Sequence, residues 1–452
     1  MTAKKIEGYL PNDQPPFLRM VILGFQHVLT MFPATVLVAI IVGFDIGTVL
    51  TVSGVATITA LILSKLISGK FIPLYYGSSF SYIAATLAIT GGSMEPELRS
   101  IAQVGIVATG VINIIVGFII RFGGGRKTID RFLPPVITGS VAAVIGIALA
   151  KAALDMASAH WGVALITLAA TILFSVYLQG KGFFGLIPVL LGAVFGYAVA
   201  AAFGLVDTSI IGEAAWLITP QFTLPAFGSD RAWEAIAGIA IIAIATIPES
   251  TAHLYQISLY VDNLAENMGK EKYGLRDLIG LNLILDGLGD MINGMFGGVA
   301  GTNYGENNSL MVITRNYSGP TLITAGVLAI LLGFVGKLAA LVNTVPVAVT
   351  GGLAIYLFGI IGMQGVALMQ AEKVNLYDPR KLAIGAVIVV VGIGGNIGFP
   401  DGMLPIPILQ GAFPNGLPAI ATSAVLGIFL NLIFLIFKAP EEAALEMTEL
   451  EE

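Results

Sequence analysis

The stretch Gly297-Gly298-Val299-Ala300-Gly301-Thr302-Asn303-Tyr304-Gly305-Glu306-Asn307-Asn308-Ser309-Leu310 decides how the chain is read. It lies between two apolar runs, yet it holds four Gly, three Asn and one carboxylate. A lipid-facing helix cannot have this make-up, because unpaired backbone and a lone Glu are costly in hydrocarbon. The stretch predicts a membrane segment broken near its middle. Its irregular backbone is then shielded by protein and turned to a polar cavity, which makes it a binding site.

The rest of the chain agrees. Of 452 residues, 56% are hydrophobic and only 11% charged, where a soluble protein carries about a quarter charged residues. A polytopic membrane protein follows. With no Cys, disulfides, thiol catalysis and Cys-based metal sites are excluded, and three scattered His predict no metal centre. The formal charge of −6 comes partly from an acidic tail over 441–452, and no basic patch suits nucleic acid. The start, Met1 to Arg19, is polar and Pro-rich, unlike a cleavable signal peptide.

Apolar runs predict 14 spans, near 18–41, 47–66, 72–91, 100–120, 133–152, 161–179, 184–206, 233–258, 276–295, 299–314, 320–340, 347–369, 381–399 and 417–437. With the N-terminus inside, only Arg99, Lys151, Arg231 and Lys337 of the 22 basic residues fall on the outer connections. That bias places both termini in the cytoplasm. The third span carries Pro73-Leu74-Tyr75-Tyr76-Gly77-Ser78-Ser79-Phe80 and the tenth carries the opening stretch, so each is the third element of a seven-span half. An odd number of spans per half inverts the second half, giving a 7+7 inverted repeat in an otherwise all-α protein. Backbone exposed at the two breaks is most simply satisfied by a short antiparallel strand pair between them.

Polar groups inside the spans are the candidate site. Glu249 and His253, four residues apart, share one helix face, and the imidazole is a natural proton partner for the carboxylate. Glu306 sits beside Gly305, where a half-helix would aim N–H groups at the cavity; Gly77, Ser78 and Ser79 offer the same device on the other half. His27 is as suited to a structural role as to a functional one. Asp286 and Asp290, with Asn282 and Asn293 nearby, read as interhelical hydrogen-bonding groups, Asp286 also being a candidate for the transport path. Gly287-Leu288-Gly289-Asp290 matches a motif of intramembrane aspartyl proteases, with Tyr260-Val261-Asp262 imaginable as its partner, but Asp262 falls in a hydrophilic run outside the bilayer. No enzyme is expected.

Tyr304-Gly305-Glu306-Asn307 through Ile313-Thr314-Arg315 resembles the signature of the nucleobase:cation symporter-2 family, also called nucleobase–ascorbate transporters. Gln26-His27, Met31-Phe32-Pro33-Ala34-Thr35, Gly77-Ser78-Ser79-Phe80, and Pro248-Glu249 with His253 agree, and the likeness runs from about Pro15 to Phe437. The Tyr-Gly-Glu form resembles the uracil:proton symporters; a purine or xanthine carrier is the alternative, and an anion exchanger or channel of the same architecture a more distant one. The resemblance implies a core domain, residues 1–132 (spans 1–4) and 231–342 (spans 8–11). It also implies a gate domain, residues 133–230 (spans 5–7) and 343–452 (spans 12–14 and the tail). Glu249 and Glu306 would accept ring N–H groups, and backbone N–H of Phe80 and Gly305 would hold ring carbonyls. Ala34, Tyr304 and Phe358 would line the pocket, and His253 would help couple the proton, the only coupling ion and no cofactor. A homodimer through the gate domain in the cell inner (plasma) membrane is expected. Asn308-Ser309 departs from the family pattern.

Overall fold

The structure, a computed structural model, describes residues 8–123, 131–410 and 416–437. The acidic tail over 441–452 lies outside the described residues.

The chain is mostly helical. It begins with α1 (Phe17–Val42) and α2 (Ile46–Ser68), followed by strand β1 (Tyr76–Ser78), α3 (Ile83–Thr90) and α4 (Pro96–Gly123). Next come α5 (Pro135–Ala148), α6 (Ala150–Ser158), α7 (Trp161–Tyr177) and α8 (Pro188–Ala202). Then α9 (Ala232–Ile239), α10 (Ala243–Asn267), α11 (Ile279–Phe296), strand β2 (Gly301–Asn303), α12 (Gly305–Thr314) and α13 (Gly319–Gly333) follow. The last part holds α14 (Val347–Ala371), α15 (Pro379–Val389), strands β3 (Met403–Leu404) and β4 (Leu417–Pro418), and α16 (Ala419–Ile436).

Local signals set the ends. Asp45 caps α2 by accepting from the Thr48 backbone N–H at 2.8 Å, and Gly69 ends it in the left-handed region at φ 73. Among the described residues, eight helices are long and apolar enough to cross a membrane, and four shorter apolar helices accompany them. The segments α11 and β2–α12 are in neither group. They carry Asp286, Asp290, Glu306 and several Asn, so their mean hydropathy is low.

Two groups of helices pack internally. In one, α4 lies on α11 and α9, and α2 on α13 and α11, with α1 also on α13. In the other, α14 lies on α5, α6 and α7, while α15 packs on α16 and α5. In lipid such contacts rest on close backbone approach rather than on hydrophobic drive. The α4–α11 crossing has Gly on both sides, for a Cβ on Gly110 would stand 2.4 Å from the Gly287 carbonyl oxygen.

Two features differ from the sequence reading. The helix expected to end near 258 continues to Asn267, because Leu264, Ala265 and Glu266 are good helix formers and the polar end lies beyond the apolar run. A second strand pair, β3 with β4, closes the Pro-rich connection before α16, with Met403 opposite Pro418 and Leu404 opposite Leu417. Its two-residue strands are too short to leave a periodic signal.

Candidate functional site

The two broken segments meet. β1 runs antiparallel to β2, with Tyr76 opposite Asn303, Gly77 opposite Thr302 and Ser78 opposite Gly301. The pairing continues on each side through Ser79 N–H to the Ala300 carbonyl (3.0 Å) and Tyr304 N–H to the Tyr75 carbonyl (2.9 Å). Neighbouring side chains satisfy what the strands leave over. The hydroxyls of Ser53 and Thr57 on α2 donate to the Tyr76 carbonyl at 2.7 and 3.0 Å.

The crossing is also locked from both strands' own side chains. The Tyr76 hydroxyl donates to Asp290 Oδ1 at 2.6 Å, and that carboxylate also accepts from the Gly301 N–H (2.9 Å) and Asn113 Nδ2 (2.9 Å). The Tyr304 hydroxyl donates to the Ser78 carbonyl at 2.9 Å and lies 2.9 Å from Thr35 Oγ1 of α1. Tyr304 is buried and its ring stacks on Tyr75, centroids 6.4 Å apart. Of the residues expected to line a pocket, Tyr304 thus has its hydroxyl committed to the strand crossing.

Each strand runs directly into a helix. A turn over Phe80–Tyr82 leads into α3, and α12 starts at Gly305. As first residues of their helices, Phe80 and Gly305 have N–H groups without an intrahelical acceptor, and Tyr304, the residue before α12, supplies no side-chain cap. Two helix starts, each the positive end of a dipole, therefore flank the strand pair. The Phe80 ring meets Phe358 of α14 edge-on, centroids 6.2 Å apart, so one member of the second helix group reaches the crossing. Ala34 lies buried on α1.

The carboxylates gather nearby. Glu249 follows Pro248 inside α10 and is half-buried, while Glu306 in the first turn of α12 is exposed. Pro248 has no N–H, so the helix is loosened one residue before Glu249. Glu249 is within electrostatic reach of both Glu306 and Asp286. Asp286 on α11 accepts from Ser250 Oγ and from Asn303 Nδ2 (3.0 and 3.1 Å); Asn282 and Asn303 also donate to Ser250 Oγ, at 2.7 and 2.9 Å. Ser250 and Asn303 escaped the sequence reading, although each adjoins a residue it singled out, Glu249 and Tyr304.

Of the two histidines singled out in the sequence, His253 departs from the simplest expectation. Among the described residues no hydrogen bond joins His253 to Glu249. His253 instead stands beside α12, where a Cβ on Gly305 would lie 3.0 Å from its Nε2, and its Nδ1 is buried without a partner. An i,i+4 spacing puts two residues on one face but leaves rotamers free, and here the imidazole turns to the neighbouring half-helix. His27 is buried and bound by Asn307 Nδ2, at 3.1 Å from its Nδ1 and 3.2 Å from its carbonyl, so it braces α1 to α12. Asp290 and Asp262 sit in separate networks, the latter accepting from the Tyr273 and Gly274 N–H groups, so they form no dyad.

Comparison with known proteins follows the same lines. The model of a permease family, Xan_ur_permease, matches residues 18–400. The uracil permease of Bacillus caldolyticus is 37% identical over 435 residues, covering 93% of each chain. That of Escherichia coli (strain K12) is 34% identical over 452 residues, covering 96% of each. Among solved structures, the transmembrane domain of a cyanobacterium bicarbonate transporter, BicA, matches with TM-score 0.58 and 14% identity over 94% of this chain and 99% of that one. SLC26A9 matches with TM-score 0.65 and 11% identity, over 94% and 66%. Both likenesses concern the fold.

Proposed function

This chain belongs to the permease family of nucleobase:cation symporters-2, and on that premise we propose that it is a proton-coupled nucleobase importer whose substrate is uracil. The observation that carries the reading is the convergence of Glu249 and Glu306 beside two helix starts, one at Gly305 without a side-chain cap and one at Phe80, where Ser79 caps only the Ser81 N–H. A pyrimidine-2,4-dione alternates ring N–H donors with carbonyl acceptors. Carboxylates complement the donors, and helix-start N–H groups complement the carbonyls. Ala34, Tyr304 and Phe358 then form the wall of the pocket. His253, with Nε2 beside Gly305 and Nδ1 buried without a partner, takes part in proton coupling.

The architecture in this reading is 14 spans in a 7+7 inverted repeat, both termini cytoplasmic, in the cell inner (plasma) membrane. The core comprises spans 1–4 and 8–11, the gate spans 5–7 and 12–14. The core group carries the strand crossing and slides against the gate group, exposing the pocket to each side in turn. A homodimer through the gate would brace the part that stays still. Cross-linking in native membranes that finds monomers alone counts against the dimer.

The test is uptake of labelled uracil into energised vesicles, with competition by unlabelled xanthine, guanine and ascorbate. Accumulation above the external concentration that a protonophore abolishes supports the reading. Simple equilibration makes the protein a channel, and strong competition by xanthine with little by uracil makes it a purine carrier.

A further inference from the structure

Two short segments, neither part of a long helix, fasten the helix group that carries Glu249 and Glu306, one before α1 and one before α9. The first is Gly8–Asp13. The Tyr9 N–H donates to the Arg315 carbonyl at 2.9 Å, the Tyr317 N–H to the Tyr9 carbonyl at 2.9 Å, and the Gly319 N–H to the Pro11 carbonyl at 2.9 Å. Asn12 bridges to the end of α2, accepting from the Phe71 N–H (3.1 Å) and donating to the Gly69 carbonyl (3.2 Å). Lys270, just past α10, reaches Asp13 at 3.8 Å. Leu10 is 1% exposed, and a Cβ on Gly8 would stand 2.8 Å from Leu264 of α10. The segment thus joins the chain just after α12, α2 and α10.

The second is Gln221–Ala226. Gln221 N–H donates to Asp45, just past α1, at 3.3 Å. Thr223 exchanges bonds with Gln103: its hydroxyl donates to Oε1 at 2.6 Å, and its carbonyl accepts from Nε2 at 2.8 Å. That same Nε2 donates to the Gly294 carbonyl near the end of α11 at 2.7 Å. The Ala226 N–H donates to the Ser100 carbonyl, near the start of α4, at 2.9 Å. This segment thus joins the chain after α1, the end of α11 and the start of α4. Exchange α1 for α10, α2 for α11 and α4 for α13, and the attachments at Asp45, Gly294 and Ser100 correspond to those at Lys270, Gly69 and Gly319.

We propose that Gly8–Asp13 and Gln221–Ala226 are paired clasps, one ahead of the first helix of each half, that hold the strand-crossing bundle as one body. The first clasp is also a positioning element. It grips the chain at Arg315, the residue that ends α12, and α10 at Leu264, so it sets how Glu306 stands relative to Glu249. Arg315 has a left-handed backbone at φ 50, a conformation that disfavours a side chain, and its carbonyl is held there by Tyr9. The clasp stays fastened while the bundle moves, because its partners all belong to that bundle. This inference rests on the transport reading only for its effect on uracil.

The test pairs hydrogen exchange of the purified protein in lipid with uracil titration. Leu10→Ser unseats the first clasp, Asn12→Ala/Asp13→Ala weakens it with less risk to folding, and Leu10→Ile keeps it. The weakened variants should show at least tenfold faster exchange at 315–319 and through α12, with α7 and α8 unchanged. Their half-saturation for uracil should rise severalfold at unchanged maximal rate, and Leu10→Ile should match the parent. Unchanged exchange in α12 in Asn12→Ala/Asp13→Ala overturns the clasp, as does an equal rise in every helix. A parent that binds no uracil overturns the transport reading instead, and leaves the exchange result to decide the clasp.

Discussion

Gly77 lies beneath the ring of Tyr304, so near that a Cβ added to it would fall 2.4 Å from the ring. The mirror relationship holds between the strands, where a Cβ on Gly301 would fall 2.3 Å from the ring of Tyr76. Tyr76 of β1 thus covers the glycine of β2, and Tyr304, the residue after β2, covers the glycine of β1. Gly77→Ala and Gly301→Ala should each push the strands apart and lower stability by about 1–3 kcal/mol, the usual cost of overpacking. Thermal unfolding in detergent checks this, and parent-like melting of either variant would show that the crossing can give way.

Glu249→Ala and Glu306→Ala should both abolish uracil binding, since each leaves a ring donor without its acceptor at about 1–3 kcal/mol per buried unmet group. His253→Ala should behave differently, retaining binding and exchange while losing uphill accumulation. Binding and proton-driven uptake measured side by side decide between them. Normal accumulation in His253→Ala would remove the imidazole from coupling.

Asp290 serves three donors, Tyr76, Asn113 and the Gly301 N–H. Asp290→Ala should therefore destabilise the protein by at least about 3 kcal/mol, while Tyr76→Phe, which removes one donor and leaves the carboxylate two, should cost about 1 kcal/mol. The comparison is made by thermal unfolding. Equal losses would mean that the tyrosine ring, and not the carboxylate, organises the crossing.

Asp378 caps α15 from outside the spans, accepting from the Arg380 N–H at 3.0 Å. The hydrogen bond from the Arg380 side chain holds its carboxyl below the ordinary value. A lowered folded value gives stability that is complete above the unfolded value of about 3.9 and lost as pH falls through the folded one. Asp378→Ala should thus cost about 1 kcal/mol at neutral pH and nothing in strong acid, whereas Asp378→Asn should keep most of the cap at both. Unfolding followed from pH 7 into acid would expose a loss that does not fade.

The sequence alone determined that the chain is a membrane protein with a break around Gly297–Leu310, that Glu249 stands within an apolar run and that Glu306 stands in the break. Composition and the cost of bare polar groups in hydrocarbon are properties of the residues themselves, so no fold is needed to read them. Tertiary structure decided where those groups turn. The facing of Tyr76 and Tyr304 across one strand pair depends on register between segments more than 200 residues apart in the chain, and no local pattern encodes it. The rotation of His253 away from Glu249 toward Gly305, and the closing of Ser250, Asn282 and Asn303 around Asp286, likewise arise only when three helices and a strand meet. Helical spacing fixes which face a residue is on; what fills the space opposite fixes its partner.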